Sequence, residues 1–403
     1  MKKLDIFGFD EALDMALSRT MSTLSTEVVM LDQVLGRVLA VDIECQKNLP
    51  SFDNSAMDGF AFKYSDVGTK LSIANTIFAG DSPEPMLGDK ECYKIMTGAK
   101  VPSDADTIIP IEDCVEVSAD FVTIAKDIKK GNALRVMGEE QRRGSVLIKS
   151  GEHLKFPHIA MLSAQGIVTV KVFRELSIAV LSTGDEIREP WQNASEDEIY
   201  NANAFGVTAL LGQHGFSPNY IGSMADDLEK CKEQISRLKT YDVIITTGGI
   251  SMGEADFLEE AFMANGLEKF FHGVNVKPGR PTMMGKIKHG SGSTTVMAMP
   301  GNPMTALLSI FLLSIPVLRK MQGEGNPKHT ISKATISQSL RLKATRSNLV
   351  LGRLEQGVFH VIGDNKIGSG MLTPLMEANA VAIFVEGIAE VSEGSIVKVV
   401  IFF

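Results

Sequence analysis

Apolar positions recur with two different periods along this chain, and the changes of period divide it. Residues 9–18 carry apolar side chains at Phe9, Ala12, Leu13, Ala16 and Leu17. Spacing of three and four residues sets them in one stripe and predicts a helix. From about 40 to 150 the texture is different. Short runs such as Gly59-Phe60-Ala61-Phe62, Thr107-Ile108-Ile109 and Phe121-Val122-Thr123-Ile124 stand between clusters of Gly, Pro, Asp and Ser. That predicts a mostly β module with many turns. Residues 157–165 return to helical spacing and are expected to rejoin the first helix in a connecting domain.

From about 175 to 322 the periods alternate. Strands are predicted at 176–181, 218–223, 241–247 and 294–299, and helices at 203–214, 226–239, 256–265 and 303–321. Repeated βα units imply a mainly parallel sheet with helices on both faces. After Pro327 short strands with Gly turns return, and a small β-barrel is expected. The predicted class is therefore multidomain, α/β and β. Its parts are a connecting helical segment (1–44 plus 150–174), a β-rich module (45–149), a three-layer α/β domain (175–326) and a C-terminal barrel (327–403).

Composition narrows the partners. The chain has 403 residues, 44% of them hydrophobic and 22% charged, enough to build several cores. The formal net charge of -9 argues against a nucleic-acid partner, since phosphate backbones reward clustered Lys and Arg. The four cysteines, Cys45, Cys92, Cys114 and Cys231, lie too far apart for a zinc knuckle. No apolar leader follows Met1. The most apolar stretch, 304–318, is shorter than the ~20 residues a membrane span needs and contains Pro316. A buried helix and a cytoplasmic chain without membrane contact are expected.

In an open parallel sheet, ligands bind at the carboxyl ends of the strands, so the turns there carry the chemistry. They are Ser182-Thr183-Gly184-Asp185-Glu186, Ser223-Met224-Ala225-Asp226, Thr246-Thr247-Gly248-Gly249-Ile250-Ser251 running on to Asp256, and Pro300-Gly301-Asn302-Pro303. Asn302 suits an N-cap and Pro303 the first helical position, which would aim a positive helix end at the crevice; an ordinary helix start is the plainer alternative. Gly248 and Gly249 can form a phosphate-cradling turn, or simply a tight βα turn. Asp185, Glu186, Asp226 and Asp256 stand after strands. They suit a Mg²⁺–phosphate site, with N-capping the competing role for Asp226 and Asp256. Lys277 and Arg280 flank Pro278-Gly279 and precede Pro281, holding two cations in the relation an oxyanion requires.

Together these segments resemble the molybdopterin molybdenumtransferase family, whose relatives include the cofactor-making domain of gephyrin. The resemblance covers essentially the whole chain. Its most specific part is residues 50–61, with Asn54-Ser55-Ala56-Met57-Asp58-Gly59; Met96-Thr97-Gly98-Ala99 and Gly138-Glu139-Glu140 also fit. The resemblance implies a four-part homodimer that inserts molybdate into adenylylated molybdopterin, with Mg²⁺ and release of AMP.

By that resemblance Asp58 enters the partner subunit's crevice, with Thr97 and Glu140 beside the substrate; Glu140 stands where the family more often has Asp. Asp185 and Glu186 serve the metal or the leaving phosphate. Asp226 and Asp256 position the pterin or the attacking group, and Glu186 and Asp256 are the expected Mg²⁺ ligands. Lys277, Arg280, Arg353 and Ser369 hold molybdate oxygens. Two further departures stand out. Arg280 replaces a commoner Lys, and Gly273, beside His272, replaces another. The resemblance also implies transient contact with the molybdopterin adenylyltransferase and with molybdoenzymes.

Two other readings compete. An adenylyltransferase of the preceding step would normally be a single small domain. A non-catalytic scaffold would show an eroded set of acids and bases, whereas Asp58, Glu186, Asp256 and Lys277 are all present. Trp191 is expected to anchor a loop after the first α/β strand.

Overall fold

The computed structural model describes residues 6–20, 25–224, 227–250, 257–290 and 292–402. The α/β domain is built on a six-stranded sheet. In spatial order its strands are Pro218–Met224, Ile178–Thr183, Val243–Thr247, Gly292–Met299, Met283–His289 and Leu267–His272. The first four run parallel, and the last two are antiparallel additions. The expected strands are present. The antiparallel pair was not foreseen, because Met, Gly and Lys in Met283–His289 give little β signal. The central strands are buried on both faces, as a sheet covered by helices requires.

The longest helical run is Pro303–Met321, of which 83% of the most apolar window is buried within the fold. By length and composition it could cross a membrane, but here it is a core element. Pro316 does not end it. Residues Ile310–Ser314 widen to a π-turn, and the Ile315 N–H bonds the Ile310 carbonyl five residues back. A proline in an ordinary helix interior costs roughly 3 kcal/mol; the wider turn gives its ring room.

The helix Phe9–Arg19 buries Phe9, Ala12, Ala16 and Leu17 in the α/β core. The helix Phe156–Ala164 instead packs with Val34, Leu39 and Ile148. The two helices therefore do not share a core as expected. What joins the two segments is the antiparallel pairing of Thr26–Met30 with Thr169–Phe173. The β-rich module holds a six-stranded sheet, from Thr107–Pro110 at one edge to Glu116–Val117 at the other. The C-terminal region is a closed five-stranded barrel of Ser347–Glu355, Val358–Val361, Ser332–Ile336, Ile396–Ile401 and Ala380–Phe384. A sixth, two-residue strand, Val276–Lys277, comes from the α/β domain and pairs in parallel with Ser347 and Asn348.

Candidate functional site

Register brings the turns together. Ser182 is opposite Thr247, and Thr247 is opposite Met299, so three strands end level and their following turns share one rim. Between them lies a crevice of about 520 Å³ lined by Thr183, Gly184, Glu186, Tyr200, Asn201, Asn203, Gly248, Gly249, Pro300, Gly301, Asn302 and Pro303.

Gly248 has φ 91°, and a Cβ there would stand 2.6 Å from Thr183 Oγ1. Only glycine fits that close approach in the left-handed region. Its N–H donates to the Met299 carbonyl at 3.0 Å, tying two rim turns together. Gly184 plays a different part. A Cβ on it would meet the Glu186 carboxylate at 2.6–2.9 Å, so the bare backbone gives Glu186 its place. Asp185 is exposed beside it.

Asn302 occupies the N-cap position of Pro303–Ser309, and the Ala306 N–H donates to its carbonyl at 2.9 Å. Its side chain does not cap. Instead Nδ2 donates to Ser369 Oγ of the C-terminal region at 2.8 Å. The helix start is left without a side-chain partner, and its dipole favours an anion there. Elsewhere capping falls to residues the sequence reading passed over. Asp227 caps Leu228–Leu238, accepting from the Lys230 N–H at 2.9 Å. Asp226, Ser251 and Asp256 lie outside the described residues.

Behind the crevice sits a buried polar network. Asn201 Oδ1 accepts from Ser182 Oγ at 3.0 Å and from the Ala204 N–H at 3.1 Å. Asn201 Nδ2 donates to Tyr220 OH at 2.8 Å, and Tyr220 OH in turn bonds Glu189. Burial, then Glu189, push the Tyr220 phenol well above its ordinary range. Asn203 Nδ2 donates to the Gly301 carbonyl at 2.7 Å. This network fixes the loop after Glu186 to the sheet. Trp191, 71% exposed, meets Phe205 edge-on from the same loop. Tyr200, Asn201 and Asn203 line the crevice without having been singled out from sequence; the Asn-Ala-Asn run before a helix was the available signal.

A second cavity, of about 340 Å³, adjoins the crevice and shares Pro281, Pro300 and Asn302 with it. It lies where the α/β domain meets the barrel. Lys277, Arg280 and Arg346 line it, together with Asn348, Asn365, Thr305 and Ser369. Among the described residues, none that lines it is acidic. Arg280 Nε is buried without a hydrogen-bond partner, an arrangement that costs free energy unless an acceptor arrives. Ser369 is therefore brought to the site.

Arg353 is not brought there. It is exposed on the barrel and paired with Glu355 at 2.5 Å, and Arg346 holds the cavity instead. Along the strand Ser347–Glu355, Arg353 shares a face with Leu349 and Leu351, which line the cavity, but it lies beyond them where the strand becomes exposed. His272, beside Gly273, is buried, with Nε2 3.1 Å from the Ile250 carbonyl and Nδ1 3.4 Å from Glu259. It holds the glycine turn rather than facing either cavity.

Asp58 and Thr97 meet each other in the β-rich module. Asp58 Oδ1 accepts from the Thr97 N–H at 2.7 Å and from its hydroxyl at 2.8 Å. Those two bonds hold the exposed carboxyl below its ordinary range. Glu140 is exposed and 3.6 Å from Arg135. Phe52, Met57, Val136 and Met137 stand exposed on the same loops, which Asp53 joins by accepting the Met137 N–H at 2.7 Å. No residue between 45 and 149 lines either cavity.

Among the described residues, no group of three or more His, Cys, Asp and Glu could hold a metal. Glu186 is the acid lining the crevice. One or two carboxylates with phosphate oxygens is the usual Mg²⁺ environment, so the donor set fits a metal that arrives with a phosphorylated ligand.

Known proteins match nearly the whole chain. The MoeA N-terminal region (domains I and II) matches residues 7–166, the probable molybdopterin binding domain residues 179–320, and the MoeA C-terminal region (domain IV) residues 333–402. The molybdopterin molybdenumtransferase of Haemophilus influenzae is 32% identical over 400 residues, covering 96% of this chain and 97% of that protein. The enzyme of the same name from a Nostoc species is 29% identical over 387 residues, covering 93% and 88%. The crystal structure of the molybdopterin biosynthesis moeA protein from Pyrococcus horikoshii superposes with TM-score 0.84 at 26% identity, over 98% of this chain and 100% of that one.

Proposed function

Because this chain belongs to the molybdopterin molybdenumtransferase family, we propose that its crevice takes adenylylated molybdopterin and its second cavity takes molybdate. The chain is a transferase of molybdenum cofactor biosynthesis. The observation that carries the finer reading is the wall shared by the two cavities, formed by Pro281, Pro300 and Asn302. It sets an anion-ready cavity beside a crevice built to cradle phosphate.

In this reading the pyrophosphate lies along Gly248, Gly249 and Gly301, where backbone N–H groups and the start of Pro303–Met321 offset its charge. Lys277, Arg280, Arg346 and Ser369 hold the molybdate oxygens. Two anions repel; fixed cations on one side and helix dipole on the other reduce the cost of bringing them together. AMP leaves as a water oxygen attacks the pyrophosphate link, the new P–O bond replacing the one broken, and the two dithiolene sulfurs bind molybdenum as one molybdate oxygen departs as water with their protons. Glu186, with Asp256, would hold Mg²⁺, which supplies charge neutralisation at the phosphate oxygens. The residues position and neutralise; the reactivity belongs to the substrates.

A second copy of the chain completes the site. The loops carrying Asp58, Thr97 and Glu140 converge on a surface with exposed Phe52, Met57 and Met137 and line neither of the two cavities described. An acid framed by apolar side chains fits a partner's crevice better than bulk water.

The test is AMP release from adenylylated molybdopterin by the purified protein. Release that requires molybdate supports the reading. Net adenylylation of molybdopterin by ATP would show the enzyme of the preceding step, and binding without turnover would show a scaffold.

A further inference from the structure

We propose that Asn348 is the positioning residue of the second cavity: its carboxamide locks the turn 343–346 so that Arg346 is presented to the bound oxyanion. The inference rests on the reading that this cavity takes molybdate.

Asn348 is only 4% exposed, and its side chain is fully engaged with that turn. Nδ2 donates to the Lys343 carbonyl at 3.0 Å and to the Arg346 carbonyl at 2.8 Å. Oδ1 accepts from the Lys343 N–H at 3.3 Å. A carboxamide is the small side chain that can donate twice and accept at once. Asp of the same shape keeps the acceptor and loses both donors. From the α/β side, Asn275 Nδ2 donates to the Thr345 carbonyl at 3.0 Å, and the Ser347 N–H donates to the Asn275 carbonyl at 3.0 Å. The turn is thus gripped from both domains.

What the grip serves is Arg346. It is half-buried in the cavity wall and makes no ion pair among the described residues, unlike Arg353 with Glu355. A long guanidinium loses rotamer freedom when it binds an anion. Fixing the backbone it springs from removes the further cost of ordering the turn on binding, which raises affinity without a new contact. Asn348 reaches the oxyanion through Arg346, so removing either should remove the same contribution.

Molybdate binding to the full-length protein is measured by titration calorimetry for the wild type, Arg346→Ala, Asn348→Ala and the double variant. The expected result is a loss of about tenfold for each single variant and no further loss in the double, because the two act as one unit. The KM for molybdate rises to match, and that for adenylylated molybdopterin does not. Asn348→Asp keeps the volume should Asn348→Ala fold poorly, and is expected to weaken molybdate equally. Asn275→Ala, which frees the turn from the other side, is expected to lose less. Wild-type affinity in a folded Asn348 variant, or losses that multiply in the double, overturns the inference while leaving the cavity assignment standing. Wild-type affinity in Arg346→Ala, or no molybdate binding by the wild type, overturns both.

Discussion

Lys277 and Asn348 are register partners in a parallel pairing that crosses from the α/β domain to the barrel. That pairing places a cation from one domain beside the turn that carries a cation from the other. The second cavity is therefore a product of how two domains meet, and the barrel is part of the site. A hydrogen bond from Asn302 to Ser369 at 2.8 Å closes the same seam a few residues away.

Gly248 is the position where the crevice tolerates least. Gly248→Ala adds a Cβ 2.6 Å from Thr183 Oγ1 in a backbone conformation with φ 91°. The rim turn must move, and the phosphate cradle with it. AMP release should fall by roughly 100-fold, about 2.7 kcal/mol of barrier, with the thermal midpoint lowered by a few degrees at most. Activity within twofold of wild type would mean that this turn does not contact the substrate.

Asp58 and Lys277 should complement each other between subunits. In a mixed dimer of Asp58→Asn and Lys277→Ala chains, one of the two composite sites has both native residues. Co-expressed chains carrying different tags allow the mixed dimer to be purified. About half of wild-type activity per mixed dimer is expected, with each parent nearly inactive. No recovery would place Asp58 outside the partner's crevice.

Acid should destabilise the fold in a particular window. Burial, then Arg319, hold His214 down to about 4. Burial holds His329 down to about 4 as well. Unfolded histidines titrate near 6.5, so between those values the unfolded chain binds more protons. Stability is then full above pH 6.5 and is lost as pH falls towards 4. Glu324, raised by burial, works in the opposite direction and offsets part of the loss. The thermal midpoint is expected to fall steadily from pH 6.5 to 4.5, and the slope to lessen in His329→Gln. A flat profile would mean that neither imidazole is buried neutral.

How much of this was legible beforehand depends on the range of each signal. The helix Ala202–Gln213 and the strand Val243–Thr247 follow from local periodicity, and the rim turns follow from where the strands end. Lys277 and Arg280 could be found because two prolines and a glycine frame them. Arg346 could not. Its part depends on Val276–Lys277 pairing with Ser347 and Asn348, a contact between segments about seventy residues apart. Arg353 looked suitable in sequence but lies past the cavity wall, beyond Leu351 on the same face of the strand. Asn302 was legible as a helix start, yet its side chain binds Ser369 because a second domain offers a partner. The cap of Leu228–Leu238 is Asp227, a position that strand-end reasoning alone does not single out.

The most direct measurement is a crystal soaked with molybdate and AMP, with diffraction recorded above the molybdenum absorption edge. The account predicts an anomalous peak between Lys277, Arg280 and Arg346, with the AMP phosphate in the adjoining crevice near Gly248 and Gly301. A peak elsewhere on the protein, or AMP bound with the second cavity free of molybdenum, would contradict it.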